Sequence, residues 1–317
     1  MEHTHRISKP RILFMGTPEF AVPSLDLLLR HGYPVIGVVT QPDRPKGRGK
    51  QMAQPPVRIF AAAHQLPVFQ PERVRDTGFL NLFRQLVPDL VVVAAFGQIL
   101  PGEILELPRL GCINVHPSLL PKYRGAAPLN WTIIRGETRT GVTIMQMDEG
   151  LDSGDILLQE ETDLHPNETV GELHDRLAVL GAEMLVKTIE MIEAGTVKKV
   201  AQDPAAVTFA PRLKKEDGLI RWEAEVHDII SLIRGLSPVP GAYSFWGGKT
   251  LKIYRTGGLD DPDTAFPGTV RILDRAFLVA AGNGWISLLD IQLEGKKRMP
   301  VQDFLRGCRL RSGDRLG

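Results

Sequence analysis

Residues 11–40 have the sequence RILFMGTPEFAVPSLDLLLRHGYPVIGVVT and predict a β-α-β unit. The apolar run 12–15 ends at Gly16, and the leucines that follow have helical spacing up to His31-Gly32, where glycine serves as a C-terminal cap. Residues 35–40 are almost continuously apolar, which is typical of a strand covered on both faces. This stretch therefore indicates a parallel α/β fold.

The alternation of strands and helices continues to about residue 194. Further helices are predicted at 57–64, 79–86, 127–135 and 170–194, and further strands at 67–69, 90–95, 112–115, 142–147 and 156–158. Alternating elements of this kind form an open, mostly parallel sheet of Rossmann-like topology with right-handed crossovers. We therefore expect one α/β domain over residues 1–200.

The character of the chain changes after residue 200. Residues 201–215 contain two prolines and a basic cluster, and they predict a linker. One helix is then predicted at 226–236, followed by short strands with glycine turns at 242–246, 251–254, 269–273, 277–280 and 286–291. Closely spaced short strands favour a smaller C-terminal β-barrel of the OB-like kind over residues 216–317.

Composition excludes several classes of protein. The chain has 317 residues, of which 43% are hydrophobic and 24% charged, and its formal net charge is +1. These values are ordinary for a globular protein and do not require a polyanionic partner. The two cysteines, Cys112 and Cys308, form neither a disulfide framework nor a paired zinc motif. No apolar run approaches the length of a membrane span, and the polar N-terminal residues have no signal-peptide pattern, so we expect a cytoplasmic protein with no membrane partner. We also expect a monomer.

The turn after the first strand does not match a nucleotide-binding motif. Dinucleotide-binding folds have the pattern G-x-G-x-x-G at this point, whereas here the turn is Gly16-Thr17-Pro18-Glu19-Phe20. No G-x-x-x-x-G-K-[ST] loop occurs elsewhere in the sequence. The pattern therefore disfavours a dehydrogenase, an ATPase and a GTPase.

The strongest candidate site follows the strand predicted at 112–115. Asn114 and His116 lie two residues apart and so share one face of an extended segment. An amide donor beside an imidazole can stabilise a developing oxyanion and transfer a proton. The alternative is that His116 caps a turn and Asn114 satisfies backbone groups.

Two loops carry charge that suits a functional site. Residues 147–155, MDEGLDSGD, could bind a divalent cation, could be a solvated turn, or could supply an aspartate that orients His116 and stabilises its protonated form. Residues 41–51, QPDRPKGRGKQ, contain four basic residues and one acid, and their prolines and glycines disfavour regular structure. This second loop could bind phosphate or could simply be solvated.

The chain resembles the methionyl-tRNA formyltransferases over essentially its full length. The resemblance rests on Gly16-Thr17-Pro18, on residues 40–50, on GCINVHPSLLPKYRGAAP at 111–128, on TGVTIMQMDEGLDSGDIL at 140–157 and on the two-domain layout. It implies transfer of a formyl group from 10-formyltetrahydrofolate to the amino group of methionine on initiator tRNA, without a metal.

The resemblance also implies roles for residues. The catalytic residues would be Asn114, His116 and Asp152. The folate-binding stretch would be Ser118, Leu119, Leu120 and Pro121, with the ring in an apolar pocket beside Phe96 and Gly97. The basic loop 41–51 would approach the acceptor end of the tRNA. Together with basic clusters elsewhere in the chain, it gives these candidate tRNA contacts: Arg44, Lys46, Arg48, Lys50, Lys214, Lys215, Lys296, Lys297 and Arg298.

One residue departs from the family pattern, and other functions remain open. The family usually has an acidic residue where this chain has Arg221, before Trp222, for which we expect core packing. The rival functions are a formyltransferase with a small acceptor, such as glycinamide ribonucleotide or an amino sugar nucleotide, a formylfolate hydrolase or dehydrogenase, and a non-catalytic tRNA-binding protein. A binding protein would not need Asn114, His116 and Asp152 together.

Overall fold

A computed structural model describes residues 9–46, 51–259, 263, 265–273 and 276–317. The chain divides into two compact units. The first holds the chain up to Gly125 together with 141–162 and 174–209, and the second holds 126–140, 163–173 and 210–317. The sequence predicts domain bounds at residues 200 and 216, whereas segments 126–140 and 163–173, which precede both bounds, belong to the second unit.

The first half of the chain alternates strands and helices, as predicted. The strands are β1 (Ile12–Gly16), β2 (Val35–Val39), β3 (Arg44–Lys46), β4 (Gln51–Ala53), β5 (Val68–Phe69), β6 (Leu90–Ala94), β7 (Cys112–His116), β8 (Arg139–Gln146) and β9 (Ile156–Asp163). The helices are α1 (Val22–Arg30), α2 (Pro56–Ala63), α3 (Thr77–Leu86), α4 (Gly102–Glu106), α5 (Pro128–Ile134) and α6 (Val170–Glu193).

Seven of these strands form one sheet in the order β5-β2-β1-β6-β7-β8-β9. The neighbouring pairs from β5 to β7 are parallel, and β8 runs antiparallel to β7. The chain therefore winds outward from β1 in one direction to β5 and in the other through β6 to β7. In open sheets of this type, ligands bind outside the carboxyl ends of the strands near the point of reversal. The mostly parallel Rossmann-like sheet is confirmed.

The centre of the sheet is buried, whereas the edge strand β9 has exposed side chains. Every residue of β1, β6 and β7 is buried. On one side, α6 approaches β7 closely at Gly181, where a Cβ atom would lie 2.7 Å from Val115 Cγ1. A contact this short has no room for a side chain, so the glycine allows the helix to pack directly against β7. This packing holds the strand that carries Asn114 and His116.

The second unit contains an antiparallel β structure. Its elements are α7 (Val226–Leu236), β10 (Ala242–Trp246), β11 (Lys249–Leu259), β12 (Val270–Leu273), β13 (Ala276–Ala281), β14 (Gly284–Leu293), β15 (Met299–Pro300) and α8 (Val301–Arg306). The strand order is β10-β11-β14-β13-β12, with β15 on β14. The smaller C-terminal β domain is thus confirmed as an antiparallel unit.

Trp222, the residue after Arg221, belongs to the hydrophobic core of this second unit. Trp222 is 3% exposed and packs in a cluster with side chains of α7 and of the strands, and its indole Nε1 donates to Ser244 Oγ at 3.0 Å. Arg221 is exposed. Core packing of Trp222 is therefore confirmed, and the departure at position 221 lies on the surface.

The structure contains three local elements that the sequence does not predict. Residues 41–51 were expected to lack regular structure, but β3 and β4 pair antiparallel on either side of 47–50. A proline is tolerated at position 45 because two-stranded ribbons consist of edge strands. The helices α4 and α8 have five and six residues, too few for hydrophobic periodicity to reveal them.

Among the described residues, no helix is both long enough and apolar enough to cross a membrane.

Candidate active site

His116 is the last residue of β7, and Asn114 lies two residues before it. Asn114 pairs in register with Val93 of β6 and Met145 of β8, and His116 pairs with Thr143. Both side chains are largely buried, with exposed fractions of 9% and 4%. Because side chains alternate along a strand, these two project to the same side of the sheet. The pair expected from sequence is therefore formed.

The Asn114 amide is free to bind a ligand. Among the residues that the structure describes, none forms a hydrogen bond to this side chain. Most buried amides satisfy their donors within the protein. An amide left uncommitted at a strand end is suited to donate to a developing negative charge.

The imidazole of His116 is held in one orientation. Its Nε2 lies 3.1 Å from the carbonyl oxygen of Tyr123. A carbonyl only accepts, so Nε2 must carry a proton. Nδ1 then has a free lone pair in the neutral ring and lies 3.8 Å from Asp152 Oδ2. Nδ1 is the nitrogen available for proton transfer, and a proton gained there would be stabilised by the carboxylate.

Asp152 is fixed by the backbone. Its Oδ2 accepts from the Gly125 N–H at 2.8 Å, and its own φ is +48°. That φ lies in the left-handed region, which aspartate tolerates better than most residues. The carboxylate is thus held towards His116 by a strained loop and one backbone donor.

Asp148, at the start of the same loop, has a different role. Asp148 accepts from the Gly150 N–H at 3.1 Å and from Ser153 Oγ at 2.9 Å, so it closes the turn internally. Within the described part of the chain, no group of three or more His, Cys, Asp and Glu residues is arranged to hold a metal ion. Of the three interpretations of this loop, the orientation of His116 by an aspartate fits the geometry.

A cavity of about 160 Å³ opens beside Asp152. The cavity is lined by residues 98–100, by Met145 and by the acidic loop 147–152. Ile99 and Leu151 are well exposed there, at 87% and 58%. Exposed apolar side chains around a cleft are typical of a site for a flat, partly apolar ligand.

The residues expected to bind folate are not among those that line this cavity. Ser118 is fully buried, its Oγ donates to the Lys122 carbonyl at 2.7 Å, and the Leu120 N–H donates to Thr143 Oγ1 at 3.2 Å. The segment 118–121, including Leu119 and Pro121, forms a tightly bonded turn after His116. Its role in folate binding stays a prediction.

Phe96 and Gly97, also expected near the folate ring, lie in different environments. Phe96 is buried in the core, and its carbonyl accepts from Thr17 Oγ1 at 3.0 Å. Gly97 lines a neighbouring cavity of about 450 Å³, and the two cavities share Gln98 and Ile99 as lining residues.

The candidate tRNA contacts differ in whether their charged groups already interact with other residues of the protein. Arg44 is ion-paired with Glu72 at 2.9 Å. Arg298 donates through Nε to Asp290 at 2.7 Å and stacks on the ring of Tyr254. Their guanidinium groups are therefore partly committed within the protein. Lys214, Lys215, Lys296 and Lys297 are exposed as well. The side chain of Lys46, and residues Arg48 and Lys50 entirely, lie outside what the structure describes.

Sequence reasoning missed several residues that hold the site. Tyr123 and Gly125 contact His116 and Asp152 through their backbones, and Gln202 contacts the backbone of Asp152. Backbone contacts leave no signal in residue type. Arg124 and Gly125 lie within the stretch 111–128 that carries the family resemblance, and this location was the one signal for them. Gln202 lies in the segment predicted to be a linker.

Cys112 is not a candidate nucleophile. Its thiol is fully buried at the start of β7 and donates to the Ile104 carbonyl. Burial raises its pKa to about 12. Because the reactive form of cysteine is the thiolate, the packing role expected for Cys112 is supported.

Comparison with known proteins shows similarity along the whole chain. A family model described as formyl transferase matches residues 10–189, and one described as formyl transferase, C-terminal domain, matches residues 212–309. A relative named methionyl-tRNA formyltransferase from Syntrophus aciditrophicus is 58% identical over 98% of this chain and 100% of its own. A relative of the same name from Geobacter metallireducens is 51% identical over 96% of this chain and 98% of its own.

Solved structures share the fold at low sequence identity. The sugar 3N-formyl transferase WlaRD, solved with dTDP and 5-N-formyl-THF, has a TM-score of 0.67 at 20% identity and covers 91% of this chain and 99% of its own. A methionyl-tRNA formyltransferase from Clostridium thermocellum has a TM-score of 0.56 at 16% identity and covers 90% and 98%.

Proposed function

The chain belongs to the methionyl-tRNA formyltransferase family, and we propose from this that it transfers a formyl group from 10-formyltetrahydrofolate to the amino group of methionine on initiator tRNA. The observation that carries the proposal is the 58% identity over nearly the whole chain, which includes the C-terminal unit. A match to the first unit alone, which contains Asn114, His116 and Asp152 and is called the catalytic unit below, would not have indicated which acceptor receives the formyl group. We also expect a monomer in the cytoplasm.

The chemistry proposed for the site begins with attack by the amine. The lone pair of the methionine nitrogen forms a bond to the formyl carbon, and the carbonyl electrons move to oxygen. The uncommitted Asn114 amide donates to that oxyanion. Such a donor lowers the barrier by about 3–4 kcal/mol when its geometry is fixed in advance.

Proton transfer completes the reaction. The attacking nitrogen loses a proton to His116 Nδ1, because Nε2 is already committed to Tyr123. Asp152 then stabilises the resulting imidazolium across the 3.8 Å gap. As the bond between the formyl carbon and folate N10 breaks, the same proton passes to N10 and tetrahydrofolate leaves. His116 acts as base and then as acid.

The folate ring is proposed to occupy the cavity beside Asp152. The ring system is flat and partly apolar, and Ile99, Leu100 and Leu151 offer apolar contacts on the rim. A ring bound there would bring the formyl carbon close to His116 and Asn114.

An acceptor assay tests the proposed function. Formyl transfer from 10-formyltetrahydrofolate should occur to charged initiator tRNA, and far less to elongator Met-tRNA or glycinamide ribonucleotide. Transfer only to the small amine would keep the chemistry and overturn the tRNA assignment. Tight tRNA binding with no transfer to any acceptor would instead favour a non-catalytic binding protein.

The lysines after β14 are expected to contact tRNA phosphates. Replacing Lys296 and Lys297 together with alanine should weaken tRNA binding and reduce the slope of log K against log salt by about 1 for each lysine lost. The measurement is tRNA affinity between low and physiological salt. The exposed pair Lys198-Lys199 is a matched control, since its double alanine variant has the same net charge. An equal effect of both variants would mean that only total charge matters.

A further inference from the structure

The segment after α6 was expected to be a linker from residue 201, yet its residues 202–209 belong to the catalytic unit. Gln202 is buried, with 9% of its surface exposed. Thr208 hydrogen-bonds the backbone of the loop that follows His116, since the Tyr123 N–H donates to its Oγ1 and the Arg124 N–H donates to its carbonyl, both at 2.9 Å. The segment is therefore part of the active-site scaffold.

The Gln202 amide bonds to two active-site loops. Its Nε2 donates to the carbonyl of Asp152 at 2.9 Å and to the carbonyl of Gly154 at 2.7 Å. Its Oε1 accepts from Arg124 Nε at 3.0 Å and from Arg124 Nη2 at 2.7 Å. Both donor hydrogens and both acceptor lone pairs are thus used. No other residue type of this size can make the same four bonds.

The two loops joined by Gln202 are those that hold His116 and Asp152. Arg124 lies between Tyr123, whose carbonyl faces His116 Nε2, and Gly125, whose N–H holds the Asp152 carboxylate. Gln202 joins Arg124 to the backbone of the Asp152 loop. The position of the carboxylate relative to the imidazole is therefore held by this amide as well as by the Gly125 N–H.

The bonds oppose strain in both loops. Asp152 has φ +48° and Tyr123 has φ +63°, conformations that side-chain-bearing residues leave when nothing holds them. A loop freed from Gln202 would relax towards ordinary backbone angles and move the carboxylate. A displacement of about 1 Å at a catalytic group can cost about 100-fold in rate.

We infer that Gln202, bonded to Arg124, is a positioning residue that sets the geometry of Asp152 against His116. This inference rests on the proposed formyl transfer. Gln202 does not touch substrate. Its effect passes through the carbonyls of Asp152 and Gly154.

The test is the variant Gln202→Met, which keeps the volume of the side chain and removes all four hydrogen bonds. We expect kcat to fall about 10- to 100-fold while the KM values for tRNA and folate change less than about 2-fold. In an Asp152→Ala background, single-turnover rates should show no further loss from Gln202→Met, because the group being positioned is already gone. Gln202→Glu keeps acceptors for Arg124 but loses the donors to the carbonyls, and it should lose a comparable factor.

The matched control is Gln146→Met. Gln146 is a half-buried glutamine of the same unit whose Nε2 donates to the Cys112 carbonyl, at the end of β7 opposite His116. Its kcat should remain near wild type.

Three outcomes would overturn the inference: wild-type kcat in both Gln202 variants, a loss that multiplies with Asp152→Ala, or an equal loss in Gln146→Met. Failure of the wild-type protein to formylate initiator Met-tRNA would instead overturn the proposed function.

Discussion

Replacing His116 with alanine is expected to lower kcat by about 10⁴-fold, the upper end of what general acid–base catalysis contributes. The variant removes the imidazole nitrogen that faces Asp152, and with it the group that takes the proton from the amine and returns it to folate. The measurement is single-turnover formylation of initiator Met-tRNA with folate at saturation. Transfer RNA affinity should stay nearly unchanged, because His116 is 4% exposed and offers little surface to so large a ligand.

The control for this prediction is His64→Ala, which removes an exposed imidazole of the same unit that stacks on Phe60. Its rate should remain near wild type. A His116→Ala variant that lost tRNA binding and turnover in equal measure would contradict the catalytic role and leave a structural one. Loss of the bond to the Tyr123 carbonyl is a second consequence of the change, so thermal unfolding should be recorded alongside the rate.

Replacing Asn114 with alanine is expected to lower kcat by about 10²- to 10³-fold. The reason is specific to the geometry: the amide donates to nothing among the described residues, so its donors are available when the oxyanion forms. Binding of ground-state folate should change little, since a carbonyl oxygen accepts a weaker bond than an oxyanion. The loss should therefore appear in kcat, with KM for folate nearly constant.

A second variant separates donation from packing at this position. Asn114→Asp keeps the shape of the side chain but replaces the donor with a negative charge, and it should be slower than Asn114→Ala because that charge faces the oxyanion. An aspartate variant faster than the alanine variant would argue that Asn114 serves only to fill space. Asn81→Ala, on the surface of α3, controls for the loss of an asparagine.

The fold was predictable to the extent that burial imposes a pattern on sequence. The strands β1, β6 and β7 are buried on both faces and appear as short, nearly unbroken apolar runs. Helix α6 is long enough for its periodicity to be clear. The short helices α4 and α8 and the β3–β4 ribbon bury too little for such a pattern. Their existence depends on local pairing and on neighbours distant in sequence.

The site was predictable in part for a similar reason. Asn114 and His116 share a strand, so their common side follows from spacing alone. Asp152 lies 36 positions beyond His116, and its approach depends on the Gly125 N–H, which residue type does not encode. The family resemblance supplied Asp152. Neither resemblance nor pattern pointed to Gln202, whose amide acts on backbone carbonyls.

The burial of Cys112 has a practical consequence for following this protein in solution. A thiol with a pKa of about 12 has almost no thiolate at neutral pH, and this one is also shielded from reagents by the sheet. The chain has one other cysteine, Cys308, which is half-buried just after α8 in the C-terminal unit. A maleimide dye should therefore label the unaltered protein at a single position. Its fluorescence would report events in the C-terminal unit without any engineered substitution.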